Sequence, residues 1–221
     1  MFDLDALALV RQACPSRVSW PVLFMKAYGI LSQEVPALRQ VWMPFPWPSI
    51  YQHDTSIGML AIHREYKGES WLFWGKFESP QNTQLIDLQQ QLDAYQSAPV
   101  KPMFKRLIRL SGVPNPFRLM IWWFNIQLSG AKRIREVGTF FLSTLASRGA
   151  DIPMPPSFQT GVVSYGPLDD RGRCRVTLAY DHRLMDGLLV AECLDRLEQI
   201  LNGLLAAELL ALISSHEPKP A

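Results

Sequence analysis

Between Cys174 and Leu204 the hydrophobic period changes from two to about 3.6 residues across one short linker, which fixes a strand and a helix side by side. The run Cys174-Arg175-Val176-Thr177-Leu178-Ala179-Tyr180 alternates polar and apolar residues and is rich in β-formers, the pattern of a half-buried strand. Beyond the linker, Leu194, Leu197, Leu201 and Leu204 recur at three- and four-residue spacing while Glu192, Asp195, Arg196 and Glu198 take the other face. That pattern predicts an amphipathic helix packed by its leucine stripe.

The linker Tyr180-Asp181-His182-Arg183-Leu184-Met185-Asp186-Gly187 carries the chemistry. His182 stands at the strand end, where side chains leave the sheet and can reach a ligand, and imidazole is the side chain type best suited to moving protons near neutral pH. Asp186 occupies the position of a helix N-cap. By residue type alone, a structural histidine and a capping aspartate remain open beside a catalytic pair.

The motif Asp181-His182-Arg183-Leu184-Met185-Asp186-Gly187 resembles the DHRxxDG signature of the catalytic domain of dihydrolipoamide acyltransferases, the cores of 2-oxoacid dehydrogenase complexes. It is similar also to the HHxxxDG of chloramphenicol acetyltransferase. Three further segments resemble the same family in the same order: Val18 to Ala27 followed by Glu34 to Leu38, Ile57 to Ala61, and Gly138 to Leu145. Together they span about residues 10 to 205. The resemblance implies a chloramphenicol-acetyltransferase-like two-layer α/β sandwich with a mixed β-sheet flanked by helices. It also implies roles for three residues. His182 would be the general base that takes the acceptor's proton and returns it to the leaving thiolate. Ser143 would donate to the oxyanion. Asp186 would hold the histidine loop through an ionic contact. The family is built on trimers with the site between subunits, so a homotrimer is expected, with Ser143 and His182 from different chains. The implied co-substrate is a coenzyme A or acyl-carrier-protein thioester, with no tightly bound cofactor.

Two departures qualify the likeness. The family's domain begins with a further helix and strand where this chain has only Met1 to Leu9, so a wall of the substrate channel and the usual partner of Asp186 are expected to be missing or supplied differently. No lipoyl domain, peripheral-subunit-binding domain or Ala/Pro-rich linker is seen, which disfavours a dehydrogenase-complex core carrying its own swinging arm.

With 221 residues and 48% hydrophobic content the chain can bury one α/β core. A single domain over 1–213, with an inserted basic segment at about 99–135 and a polar tail at 214–221, is the expected organisation. Cys14, Cys174 and Cys193 form no CxxC and leave an odd count, so neither a disulfide framework nor a metal site is indicated, and a cytoplasmic location fits. The N-terminus lacks a signal peptide's basic start, and no uninterrupted apolar run of about 18 residues predicts a membrane span. Helices are expected over Ser19 to Glu34 and Asn82 to Gln96, and strands near Ser56 to His63 and Ser70 to Phe77. From Trp42 to Pro48 an irregular turn is expected, because its prolines cannot donate to a ladder. It would be either a packed surface loop or an aromatic lip on a channel. His53, His63 and His216 have no motif around them.

The net charge of +2 conceals an asymmetry. Eight basic residues and no acidic one lie between Lys101 and Arg135, leaving 14 basic against 20 acidic residues, a net of −6, for the rest. Embedded in this stretch is the apolar run Phe117 to Leu128, too short to span a bilayer. Three settings suit it. A Trp-rich basic helix can lie on an anionic membrane. It can wall a tunnel for a long acyl chain, with Trp122 and Trp123 against the chain and Arg106 and Arg109 meeting coenzyme A phosphates or a carrier protein. It can also bury its aromatics in the core or a trimer interface. Nucleic acid is disfavoured because no recognition motif accompanies the charge. Two functional classes follow. One is a free-standing acyltransferase acting on a small or lipidic acceptor; the other is a non-catalytic trimeric scaffold or binding protein of the same fold.

Overall fold

Strands form where apolar alternation predicts them and run past the expected ends, because each added residue gains a ladder partner. The computed structural model describes residues 1–153 and 158–216. In chain order the elements are β1 (Phe2–Asp3), α1 (Asp5–Ala13), α2 (Trp20–Glu34), β2 (Gln40–Met43), β3 (Ser49–Gln52), β4 (Ile57–Tyr66) and β5 (Glu69–Glu78). Then follow α3 (Leu85–Ser97), α4 (Val100–Met103), α5 (Lys105–Ser111), α6 (Asn115–Gln127), α7 (Gly130–Val137) and β6 (Phe140–Ser143). The chain continues through β7 (Gly161–Tyr165), β8 (Arg173–Cys174), β9 (Val176–Tyr180), α8 (Gly187–Ile200) and α9 (Ala206–His216), the last two joined by a wide helical turn at Leu201–Leu205.

Five strands form one mixed sheet in the order β5-β4-β6-β7-β9. The central β4, β6 and β7 are parallel, and β5 and β9 run antiparallel at the edges. Because side chains alternate across a strand, Leu60, Ile62, Phe140, Leu142, Val163, Tyr165 and Leu178 face the main core. There they meet buried residues of α2, α3 and the long C-terminal helix. Met59, Phe141 and Val162 face the other way, into a smaller core closed by Val41 and Met43 of β2 and Ile134 of α7. The expected α/β sandwich with a mixed, helix-flanked sheet is the architecture found.

Helix α2 is apolar nearly all round and is accordingly the most deeply buried, with Lys26 neutralised by Glu208 of α9 at 2.7 Å. Gly161 lets its backbone approach α2 closely, since a Cβ there would overlap the Tyr28 hydroxyl. Tyr28 is fully buried against Phe140, at 4.3 Å between ring centroids. Gly161→Ala is therefore expected to destabilise by about 1–3 kcal/mol through overpacking. A urea midpoint unchanged from the parent would refute the close approach.

Several boundaries differ from the sequence expectation. Pro80–Asn82 forms a tight turn, so the third helix starts at Leu85 rather than near Asn82. Trp42 and Met43 belong to β2, which among the described residues pairs with β3 alone; the three prolines between them and Ser49 are confined to the exposed connection. The start of the chain supplies β1, paired with β8, and the nine-residue α1. Ser214 and Ser215 continue α9 instead of lying in a tail, and residues 217–221 of that tail fall outside the described residues. Gly187–Ser215 is one helix long and apolar enough, by length and composition, to cross a membrane, which the sequence reading did not expect. Its apolar stripe, including Cys193, Leu197, Ile200, Leu201, Leu205 and Leu209, is buried in the main core.

The basic stretch folds as four helices, α4 to α7, rather than one. Among them α6 has no buried residue, and Phe117, Leu119, Met120, Trp123, Phe124 and Leu128 on or beside it are exposed. An apolar arc of this width is uncommon on an isolated surface and marks a contact region.

Candidate functional site at the strand ends

The main-chain ladder continues one step past β9, with Asp181 N donating to Thr160 O, and then the chain turns. Leu184 N and Met185 N both donate to Asp181 O, and buried Met185 anchors the turn in the core. The Asp181 carboxylate accepts from Arg183 N at 3.0 Å, from Nε at 2.8 Å and from Nη2 at 2.5 Å. These bonds, led by the Arg183 side chain, hold the Asp181 carboxyl below its ordinary range. Arg183 also lies 5.8 Å from the centroid of Trp42. Asp181 and Arg183 thus lock the loop around His182. In the sequence they served only as part of a family motif; the local signal for this role was an Asp and an Arg two residues apart in a turn.

His182 projects from that locked turn into solvent, its ring 5.7 Å from Tyr180, and neither ring nitrogen has a hydrogen-bond partner among the described residues. Asp186 caps α8, its Oδ1 accepting from Leu189 N at 2.8 Å. It makes no ion pair among the described residues of this chain, so none of them supplies the ionic contact expected of it. Asp186→Ala should cost about 1 kcal/mol through the lost cap, whereas Asp186→Asn should keep it, since asparagine caps equally well. Thermal melts of the two variants check this; equal melting temperatures would show that the cap contributes nothing.

Ser143 ends β6. It is buried, yet its hydroxyl has no hydrogen-bond partner among the described residues. The ladder sets Ser143 beside Ser164 and Ser164 beside Thr177, so three hydroxyl residues line one row on the face of the smaller core. Ser164 Oγ is buried without a partner as well. No alternation or motif in the sequence pointed to Ser164; strand register alone brings it here.

The register also sets where His182 lies relative to Ser143. Tyr180 pairs with Gly161, and Gly161 with Phe140, at one end of the sheet; Thr177, Ser164 and Ser143 form the row at the other end. At about 3.3 Å per residue, Asp181 is already about 13 Å along the strands from the Ser143 row, and β9 lies two strands, about 10 Å, across from β6. Within one chain, then, His182 and Ser143 do not meet.

The four residues expected to contact substrate are divided. Trp122 and Arg106 line a cavity of about 390 Å³ between α4–α7 and the sheet, and Arg106 pairs with Glu136 at 2.5 Å. Trp123 turns outward, 45% exposed and 5.4 Å from Phe45 of the proline-rich connection, and Arg109 is exposed; neither lines that cavity. Among the described residues no group of three His, Cys, Asp or Glu side chains converges as a metal site.

No protein-family model matches the sequence, and no curated protein matches it significantly. Solved structures do match. A probable dihydrolipoamide acetyltransferase from Listeria monocytogenes superposes with a TM-score of 0.60 at 18% identity, over 100% of this chain and 84% of that one. A truncated catalytic core of the 2-oxoacid dehydrogenase multienzyme complex from Thermoplasma acidophilum gives 0.60 at 10% identity, over 91% and 84%. The fold is that of the dihydrolipoamide acyltransferase catalytic cores. The Azotobacter vinelandii dihydrolipoamide acetyltransferase, at 0.54 and 16% identity over 92% and 75%, was solved to investigate a serine, a histidine and an asparagine in its catalytic mechanism.

Proposed function

We propose that this chain is an acyltransferase whose active site forms between copies, with His182 of one subunit facing Ser143 of the next. The observation that carries the reading is that both side chains have free polar atoms while lying at opposite ends of one sheet, an arrangement that uses them together only across an interface. In the Azotobacter structure the histidine and asparagine under study are four residues apart, as His182 and Asp186 are here, with aspartate in place of asparagine.

In the proposed reaction, neutral His182 accepts the proton of an acceptor hydroxyl or thiol as that atom attacks the thioester carbonyl carbon. The new bond places negative charge on the carbonyl oxygen, and the Ser143 hydroxyl donates to it; such a donor is commonly worth about 3–4 kcal/mol. Collapse breaks the C–S bond, and the imidazolium returns its proton to the leaving thiolate. The donor would be a coenzyme A or carrier-protein thioester. The uncovered arc of α6, with Arg109, Arg118 and Lys132 nearby, supports a salt-sensitive contact with a carrier protein or an anionic membrane.

Incubating the protein with a panel of acyl-CoAs and acceptors and measuring free thiol tests the reading. Acceptor-dependent thiol release supports it, and a stable oligomer that releases none with every donor and acceptor would overturn it. The second reading, a non-catalytic scaffold of the same fold, is favoured by one observation: among the described residues Asp186 has no ionic contact of the kind expected to hold the histidine loop.

A further inference from the structure

The cavity under α4–α7 lies on the same sheet face as Ser143. Phe141 precedes Ser143 by two residues and so shares its face, and its ring meets Trp74 at 6.1 Å between centroids. One step beyond the paired residues Leu60 and Leu142 come Ala61 and Ser143, and Ala61 pairs with Trp74. Trp74 lines the cavity, so its inner wall is about two strand spacings, roughly 10 Å, from Ser143.

Its lining is mostly apolar, from Met59, Trp74, Phe104, Leu107, Leu110 and Trp122. A second cavity of about 380 Å³ adjoins it, lined by polar residues including His53, Thr55, Glu78 and Ser79. Lys76 and Arg135 line both. An apolar compartment and a polar one therefore meet at two cations. Glu136 neutralises Arg106, and Glu78 neutralises Lys76 at 2.5 Å. Arg135 has no acidic partner among the described residues, which leaves one positive charge unmatched at the junction.

We propose that this composite cavity binds a single-chain amphiphile with one anionic group, its tail among Leu107, Leu110 and Trp122 and its head at Arg135. Resting on the acyltransferase reading, the amphiphile is the class of acceptor the enzyme takes, one that carries a hydroxyl or thiol besides its anionic group to attack the thioester carbonyl at the Ser143 site. A volume of about 390 Å³ falls within the usual range for small-molecule pockets. It follows that Trp122 and Arg106, not Trp123 and Arg109, shape the chain's environment.

Calorimetric titration of the whole protein, carrying His182→Ala to prevent turnover, tests this with octanoate, decanoate, dodecanoate and dodecyl phosphate below their micellar concentrations. Affinity should rise about fourfold per added methylene until the cavity is full. Arg135→Gln should weaken dodecanoate and dodecyl phosphate by about tenfold, and the tighter of the two identifies the headgroup. Leu107→Trp should remove the chain-length dependence; should that variant not fold, Leu110→Trp fills the same space from the rim. No binding of dodecanoate or dodecyl phosphate, or an affinity indifferent to chain length and to Arg135→Gln, would overturn the inference. Wild-type transfer of acetyl groups without amphiphile binding would sink this inference alone. Amphiphile binding in a protein that transfers no acyl group would sink the acyltransferase reading alone.

Discussion

Replacing His182 by alanine should lower acyl transfer by roughly 100- to 10,000-fold, the usual contribution of a positioned general base. Neither His53 nor His63 can substitute. His53 is engaged with the Thr55 backbone and His63 with Ser70, and neither lies in the Asp181 turn. The separation of His182 from Ser143 makes a sharper version possible. His182→Ala and Ser143→Ala subunits, inactive alone, should recover activity when mixed and reassembled, because some interfaces then join an intact histidine to an intact serine. With equal mixing in a closed ring, about a quarter of the sites are restored. Assemblies shown to exchange subunits but with no recovery would place the two residues in one subunit's site, against the strand register.

Ser143→Ala should reduce the rate by roughly 100- to 1000-fold while leaving donor binding almost unchanged, because an oxyanion donor acts on charge that exists only in the transition state. The structure favours a large effect. Ser143 is largely buried as a residue, and its hydroxyl has no partner among the described residues to hold it away from a reacting carbonyl. A KM that rose with kcat intact would instead make Ser143 a ground-state contact. The Asp181 loop sets a pH dependence of stability of its own. Asp181 is depressed below its ordinary range, so its contribution is fully present above the unfolded carboxylate pKa of about 4 and is lost only as pH falls through the lower, folded value. The Asp181–Arg183 lock is intact at neutral pH, and the turn that carries His182 is expected to keep its shape on mild acidification.

Elements whose signal is local were legible in the order of residues. The switch of period at Tyr180 marked a strand and then a helix, and both are present with Asp186 at the cap. The apolar run after Ser19 and the leucines of 85 to 92 gave α2 and α3, because periodic burial is written in spacing. Which residues meet was settled by packing and strand pairing. Strand order and register placed Ser164 beside Ser143 and set His182 at the far end, and no spacing along the chain encodes pairing between strands so distant in sequence. Charge was equally nonlocal: Arg106 looked free within a run without acidic residues, yet Glu136, just past that run, neutralises it once α7 packs nearby. Trp122 and Trp123 were indistinguishable as letters. Neighbours on a helix point about 100° apart, so when α6 settled over the cavity one ring turned inward to line it and the other was left facing solvent.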